Sequence, residues 1–154
     1  MSKPVVVYTC GTFDMFHVGH LNMIKAAKGL GDKLIVAVST DEVAEQYKKG
    51  SLVVPFEQRM AIVSSMKYVD VCVAQNDRDK YKAWERLRYD VLVVGDDWYG
   101  SDEFNYYEDK LSNVGAKVVY LPYTPKVSST NIRKLLEKRG VEKYAESRKL
   151  SEKV

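Results

Sequence analysis

Both histidines of this 154-residue chain fall in one short run, Gly11-Thr12-Phe13-Asp14-Met15-Phe16-His17-Val18-Gly19-His20. An apolar stretch, Val5-Val6-Val7-Tyr8, precedes it, and Leu21-Asn22-Met23-Ile24-Lys25 follows at helical spacing. The pattern sets two imidazoles at the N-terminal end of a helix, beside the edge of a sheet. Such an end carries unpaired backbone N–H groups and partial positive charge, so it attracts phosphate. Imidazole donors there can also neutralise charge that builds up on a phosphoryl group in transit. The chemistry implied is the handling of a nucleotide.

Three further runs have the composition of phosphate or base contacts. Gly95-Asp96-Asp97-Trp98-Tyr99-Gly100 puts carboxylates and an aromatic ring between glycines, which suits a tight loop that hydrogen-bonds a base. A capped surface turn uses the same residue types. Tyr123-Thr124-Pro125-Lys126-Val127-Ser128-Ser129-Thr130 gathers hydroxyls at a helix start, suited both to phosphate oxygens and to N-capping. Lys48-Lys49-Gly50 offers a cation in a loop, able to stabilise a charged phosphoryl transition state or to remain a solvated pair. Asp14 is suited either to Mg²⁺ on a triphosphate or to capping the turn.

The elements that must position these runs follow from the apolar pattern. Strands are predicted at Val5–Tyr8, Lys33–Val38, Tyr68–Val73, Val91–Val94 and Lys117–Leu121. Helices are predicted at Leu21–Lys28, Pro55–Met66, Tyr81–Arg88, Glu103–Asn113 and Ser128–Lys138. The alternation predicts a single α/β domain over residues 1–139, a Rossmann-like, doubly wound, parallel five-stranded sheet flanked by helices. Ligands of such sheets bind beyond the carboxyl ends of the strands, where strand order reverses. The opening run, the Gly95 run and the Tyr123–Thr130 run each follow a predicted strand end. Residues 140–154 form a charged C-terminal extension, expected to continue as helix or to fray.

Bulk composition narrows the function classes. A hydrophobic fraction of 45% supports a real core, and a net charge of +3 is too small to argue for nucleic acid. No apolar run is long enough to span a bilayer, and the first residues lack a signal-peptide core. Cys10 and Cys72 have neither disulfide-framework nor metal-site spacing. A cytoplasmic enzyme with no membrane partner is expected.

Gly-Thr-Phe-Asp followed by His-x-Gly-His resembles the signature of the nucleotidylyltransferases, in particular the cytidylyltransferases. Gly95-Asp96-Asp97-Trp98 resembles the branch that acts on glycerol 3-phosphate. The resemblance runs from about Val5 to Lys138. It implies transfer of CMP from CTP, with Mg²⁺, to a small phosphorylated acceptor, giving pyrophosphate and a CDP-linked product of the kind used in cell-surface polymers. It also implies a homodimer. By this resemblance His17, His20 and Lys49 are catalytic. Thr12, Phe13, Gly19, Asp97, Trp98, Thr124, Lys126, Ser128, Ser129 and Thr130 bind the nucleotide. Tyr47, Arg59 and Lys80 lie on the acceptor side, and Arg59 is equally suited to a structural ion pair. The chain departs from the family at Tyr123, where an arginine is usual, and at Tyr47, where a lysine is; Lys126 is expected to restore the positive charge. Other phosphorylated acceptors (phosphocholine, phosphoethanolamine, a phosphorylated amino acid), an ATP-using enzyme of the heptose-phosphate type and a nucleotide-binding regulator also fit the motifs.

Overall fold

A computed structural model describes residues 2–47 and 50–152, with residues 141–152 described as backbone only. Five strands, β1 (Val6–Gly11), β2 (Lys33–Ser39), β3 (Val71–Gln75), β4 (Val91–Gly95) and β5 (Lys117–Leu121), form one parallel sheet in the order β3-β2-β1-β4-β5. Six helices connect and flank them: α1 (Val18–Lys28), α2 (Asp41–Tyr47), α3 (Phe56–Ser64), α4 (Lys80–Leu87), α5 (Asp102–Ser112) and α6 (Ser129–Glu152).

The period-two geometry of a strand sends alternate side chains to opposite faces. Here both sets are apolar, as expected for a parallel sheet covered on both sides. Val7, Leu34, Val36, Val38, Val91 and Val93 face Ile24 and Ala27 of α1 and Val63 of α3. Tyr8, Ile35, Ala37 and Leu92 face Ala83 of α4 and Phe104, Tyr107 and Leu111 of α5. This two-sided burial makes the sheet doubly wound, and strand order reverses between β1 and β4.

The two ends of the sheet differ in chemistry. At the amino ends of the strands, carboxylates close the free amides: Asp32 accepts from Val5 N at 2.7 Å, Asp90 from Val6 N at 2.8 Å and Asp70 from Leu34 N at 2.7 Å. The carboxyl ends instead open into the loops that carry the motifs.

Boundaries shift in places. β1 runs three residues beyond its predicted end, to Gly11, because the β1–β2 register continues through Cys10↔Ala37 and Gly11↔Val38. The helix α2 was not expected: its seven residues are acidic and polar except for Val43 and Ala44, which are buried. About two helical turns leave too short a pattern to read. α6 continues through Gly140 to Glu152 as one helix.

Candidate active site

A cavity of about 440 Å³ opens at the carboxyl ends of the strands, over the reversal between β1 and β4. His17, Gly19 and His20 line it at the start of α1, and Thr12, Phe13 and Asp14 line it from the preceding loop. His17 is the N-cap of α1, and its Nδ1 accepts from Gly19 N at 3.0 Å. His20 Nδ1 accepts in turn from His17 N at 3.2 Å. Each histidine thus meets one of the unpaired donors of the first turn, a reciprocal capping box built from imidazoles.

This arrangement decides the tautomers. A neutral imidazole has one donor and one acceptor nitrogen; with both Nδ1 atoms accepting, both Nε2 atoms carry hydrogen. The rings stack with centroids 3.8 Å apart and planes 19° from parallel. Gly19 makes the fold-back possible: a Cβ there would stand 2.8 and 2.9 Å from the His17 ring.

Burial lowers the pKa of His17. For His20 burial, and then the neighbouring His17, lower it to about 4 against a partial opposing effect of Asp14. Both rings are neutral donors at pH 7 in the free protein. Between pH 4 and 6.5 the unfolded chain therefore binds a proton that native His20 refuses, and stability falls as the pH is lowered through that window. Urea unfolding at pH 7 and pH 4.5 should differ by roughly 2–3 kcal/mol from this group, a difference that His20→Asn removes. An equal pH dependence in the variant would contradict the assignment.

The loop before α1 is strained and pinned. Phe13 and Met15 have φ of 55° and 49°, in the left-handed region that costs a side-chain-bearing residue about 1–2 kcal/mol. Asp14, between them, is 3% exposed. Its carboxylate accepts from Val54 N at 2.8 Å and Val53 N at 2.9 Å, and it pairs with Arg133 of α6. Burial alone would raise this carboxyl, but the two amides and the guanidinium outweigh it and hold it below the usual range. Asp14 is thus a clamp across three segments. Both carboxylate oxygens are already engaged within the protein, which is the geometry of a clamp rather than of an open metal ligand.

The last loop and α6 close one side. Ser128 caps α6, its Oγ accepting from Asn131 N at 3.0 Å, and Ser129 Oγ donates to Asp14 O at 2.6 Å. Asn22 of α1 donates to Thr124 Oγ1 at 2.9 Å, joining the two helix starts. Thr124, Ser128, Ser129 and Thr130 all line the cavity, whereas Lys126 does not. Lys126 adopts a φ of 64° on an exposed turn, and the cation at this wall is Arg133 instead. Arg133 Nε is buried without a hydrogen-bond partner, a donor left over beside the cavity. The sequence reading missed Arg133; its signal was its place one helical turn after Ser129.

At the other end, Tyr47 and Lys80 line the cavity with Cys10 and Gln75. Lys80 is 6% exposed, and its ammonium donates to Arg78 O at 3.0 Å. The Arg78 guanidinium lies 3.5 Å above the Tyr47 ring, a cation–π contact at the rim. Asp97 and Trp98 line the cavity from the short turn after β4.

Arg59 is not among the lining residues. It is 1% exposed, and its guanidinium donates to Thr12 O, Ser39 O, Val54 O and Asp41 Oδ1 at 2.7–2.8 Å. It ties the loops after β1 and β2 from behind, so any effect on an acceptor acts through them. Lys49 lies outside the described residues.

An uncharged pair of Nε2 donors, an open helix start and a buried lysine around one cavity are the equipment of a nucleotidyltransferase. Comparison with known proteins agrees: the chain belongs to the cytidylyltransferase-like family, whose model matches residues 8–135. It is 37% identical over 138 residues to the glycerol-3-phosphate cytidylyltransferase of Bacillus subtilis, covering 85% of this chain and 95% of that one. It is also 34% identical over 134 residues to the FAD synthase of Archaeoglobus fulgidus, covering 87% and 96%. Among solved structures, the lipopolysaccharide core biosynthesis protein of Thermoplasma volcanium aligns with a TM-score of 0.66 at 28% identity, over 79% of this chain and 98% of that one. Among the described residues, no helix is long and apolar enough to cross a membrane.

Proposed function

We propose that this enzyme transfers CMP from CTP, taken as its magnesium complex, to a small phosphorylated alcohol resembling glycerol 3-phosphate. The observation that carries the transferase chemistry is the stacked pair of Nε2 donors at the α1 start. The choice of CTP rests on the Gly95–Trp98 turn in the cavity wall and on the relatives named glycerol-3-phosphate cytidylyltransferase.

In this reading an acceptor phosphate oxygen attacks the α-phosphorus in line. A new P–O bond forms as the bond to the β-phosphate oxygen breaks, and pyrophosphate leaves. The acceptor is ionised near neutral pH, so no side chain has to remove a proton. Catalysis is then positioning and charge neutralisation. His17 and His20 donate to the phosphates as charge moves to the leaving group, and Lys49 serves the α-phosphate. The α6 start with Arg133 holds the outer phosphates, while Lys80 and Tyr47 face the acceptor. Assembly as a homodimer and a cytoplasmic setting belong to the same proposal.

Relatives named FAD synthase favour a second reading, with ATP as donor and a flavin phosphate as acceptor. Pyrophosphate release with CTP or ATP, against a panel containing glycerol 3-phosphate, phosphocholine, phosphoethanolamine and flavin mononucleotide, separates them. Release with CTP and a small phosphorylated alcohol is the expected outcome. Release with ATP alone would overturn the choice of donor.

A further inference from the structure

The segment from the end of β3 into α4 reads Asn76-Asp77-Arg78-Asp79-Lys80, two carboxylates alternating with two cations. The fold gives the two pairs separate tasks. Asp79 is the N-cap of α4, accepting from Tyr81 N at 2.8 Å and Lys82 N at 3.0 Å. Asp77 accepts from Asp79 N at 2.9 Å and pairs with Lys82 at 3.2 Å. Both acids are thus spent on the start of α4. Among the described residues, no carboxylate forms an ion pair with Arg78 or Lys80.

The two cations are held instead at one end of the cavity. Lys80 lines it and is buried; burial works against its charge, yet its neighbours hold its pKa above the ordinary value, so it is an ammonium at pH 7. That ammonium donates to Arg78 O, which ties the two residues together. Arg78 is half-buried, and its guanidinium covers one face of the Tyr47 ring, which itself lines the cavity. The lysine that the resemblance implied at position 47 is a tyrosine here, and a charge returns on the arginine laid over it. The carboxylates that line the cavity come from other segments: Asp14, engaged by Arg133, and Asp97 and Glu103, from the turn after β4 and the first turn of α5.

This placement bears on the tail of the acceptor, the part beyond its phosphate. A tail carrying an ammonium is received by an aromatic face or by a carboxylate. At this end the Tyr47 face is already taken by a cation, and the local acids are committed to α4. We infer that Arg78 is a specificity-determining residue: stacked on Tyr47 and tied to the buried Lys80, it makes this a two-cation subsite that admits a phosphorylated acceptor whose tail carries no positive charge and rejects one whose tail is an ammonium. The inference rests on the transferase reading and narrows its acceptor class. Tyr47 is then a positioning residue, the platform that keeps the guanidinium at the cavity rim. Like charges brought together in a confined site are the repulsive element that specificity needs.

The test is steady-state pyrophosphate release by the full chain, with unfolding temperature as the control for folding. CTP and ATP are each run against glycerol 3-phosphate, flavin mononucleotide, phosphocholine and phosphoethanolamine. The wild type should favour an acceptor with an uncharged tail over either amine in kcat/KM. Arg78→Gln removes the charge, and that preference should fall about tenfold, through the KM of the acceptors rather than that of the nucleotide. Arg78→Glu reverses the charge and should lower it further, whereas Arg78→Lys should keep it within about threefold. A wild type that prefers an amine, amines that gain nothing in Arg78→Gln and Arg78→Glu, or an equal loss on every acceptor would overturn the inference and leave nucleotidyl transfer intact. Turnover with ATP alone, with ratios that still move, would remove the choice of CTP and leave the role of Arg78 standing. If no pair of nucleotide and acceptor releases pyrophosphate, both fall.

Discussion

His17→Asn should lower the rate of pyrophosphate release by about a thousandfold while leaving the fold and its thermal stability close to wild type. Asparagine is the informative replacement because its side-chain carbonyl can stand where Nδ1 stands and accept from Gly19 N. The helix cap is kept, and what disappears is the Nε2 donor. His17→Ala should lose the same activity and in addition about 1 kcal/mol of cap stability. His20→Asn preserves the acceptor for His17 N by the same logic. The rings stack, and the His20 ring accepts from the His17 backbone, so the double variant should lose little more than either single one, as groups acting as a unit do. Steady-state kinetics on the four variants, with unfolding curves alongside, checks this. Activity within tenfold of wild type in His17→Asn would end the proposed role of that donor.

The second large effect is on stability. Arg59→Met should cost about 3–5 kcal/mol, measured as the loss in free energy of urea unfolding. Methionine matches much of the volume but none of the donors. Three carbonyls, of Thr12, Ser39 and Val54, then stand without the guanidinium that joins them, and Asp41 loses its ion pair. Each unpaired buried acceptor costs about 1–3 kcal/mol, partly relieved where water can enter. Arg59→Lys should recover only part of the loss, since one ammonium cannot span the directions the planar fork reaches. A cost below about 1 kcal/mol in Arg59→Met would show that the loops hold themselves.

The parts of this architecture that could be read from sequence are those written in local pattern. The sheet was legible because its strands are short apolar runs separated by helical spacing, with both faces covered. The His17–His20 site was legible because strand, turn and helix lie within twenty residues. Its finer chemistry was not: that each imidazole caps the helix through Nδ1 appears only in the geometry. Long-range partnerships were hidden for a related reason. Asp14 read as a metal ligand or a turn cap because nothing nearby shows Arg133, 119 positions away. Arg59 read as an acceptor-side residue or an ion pair, yet its burial depends on carbonyls from the loop after β1, the end of β2 and the loop before α3. Lys126 read as the substitute cation because it stands next to the altered position, whereas helix periodicity hands that place to Arg133. Tyr123 was visible as a departure, but its contact with Gly95 required the strand register.

The clamp between Asp14 and Arg133 also divides the labour between the sheet and the last helix. All five strands lie before α6, so the sheet, both histidines and the turn after β4 are contained in the chain up to Leu121. The strained loop at Phe13–Met15 takes its grip from α6, through Ser129 and Arg133. Neither core cluster draws on α6, whereas Ser129, Thr130 and Arg133 of that helix form one wall of the cavity.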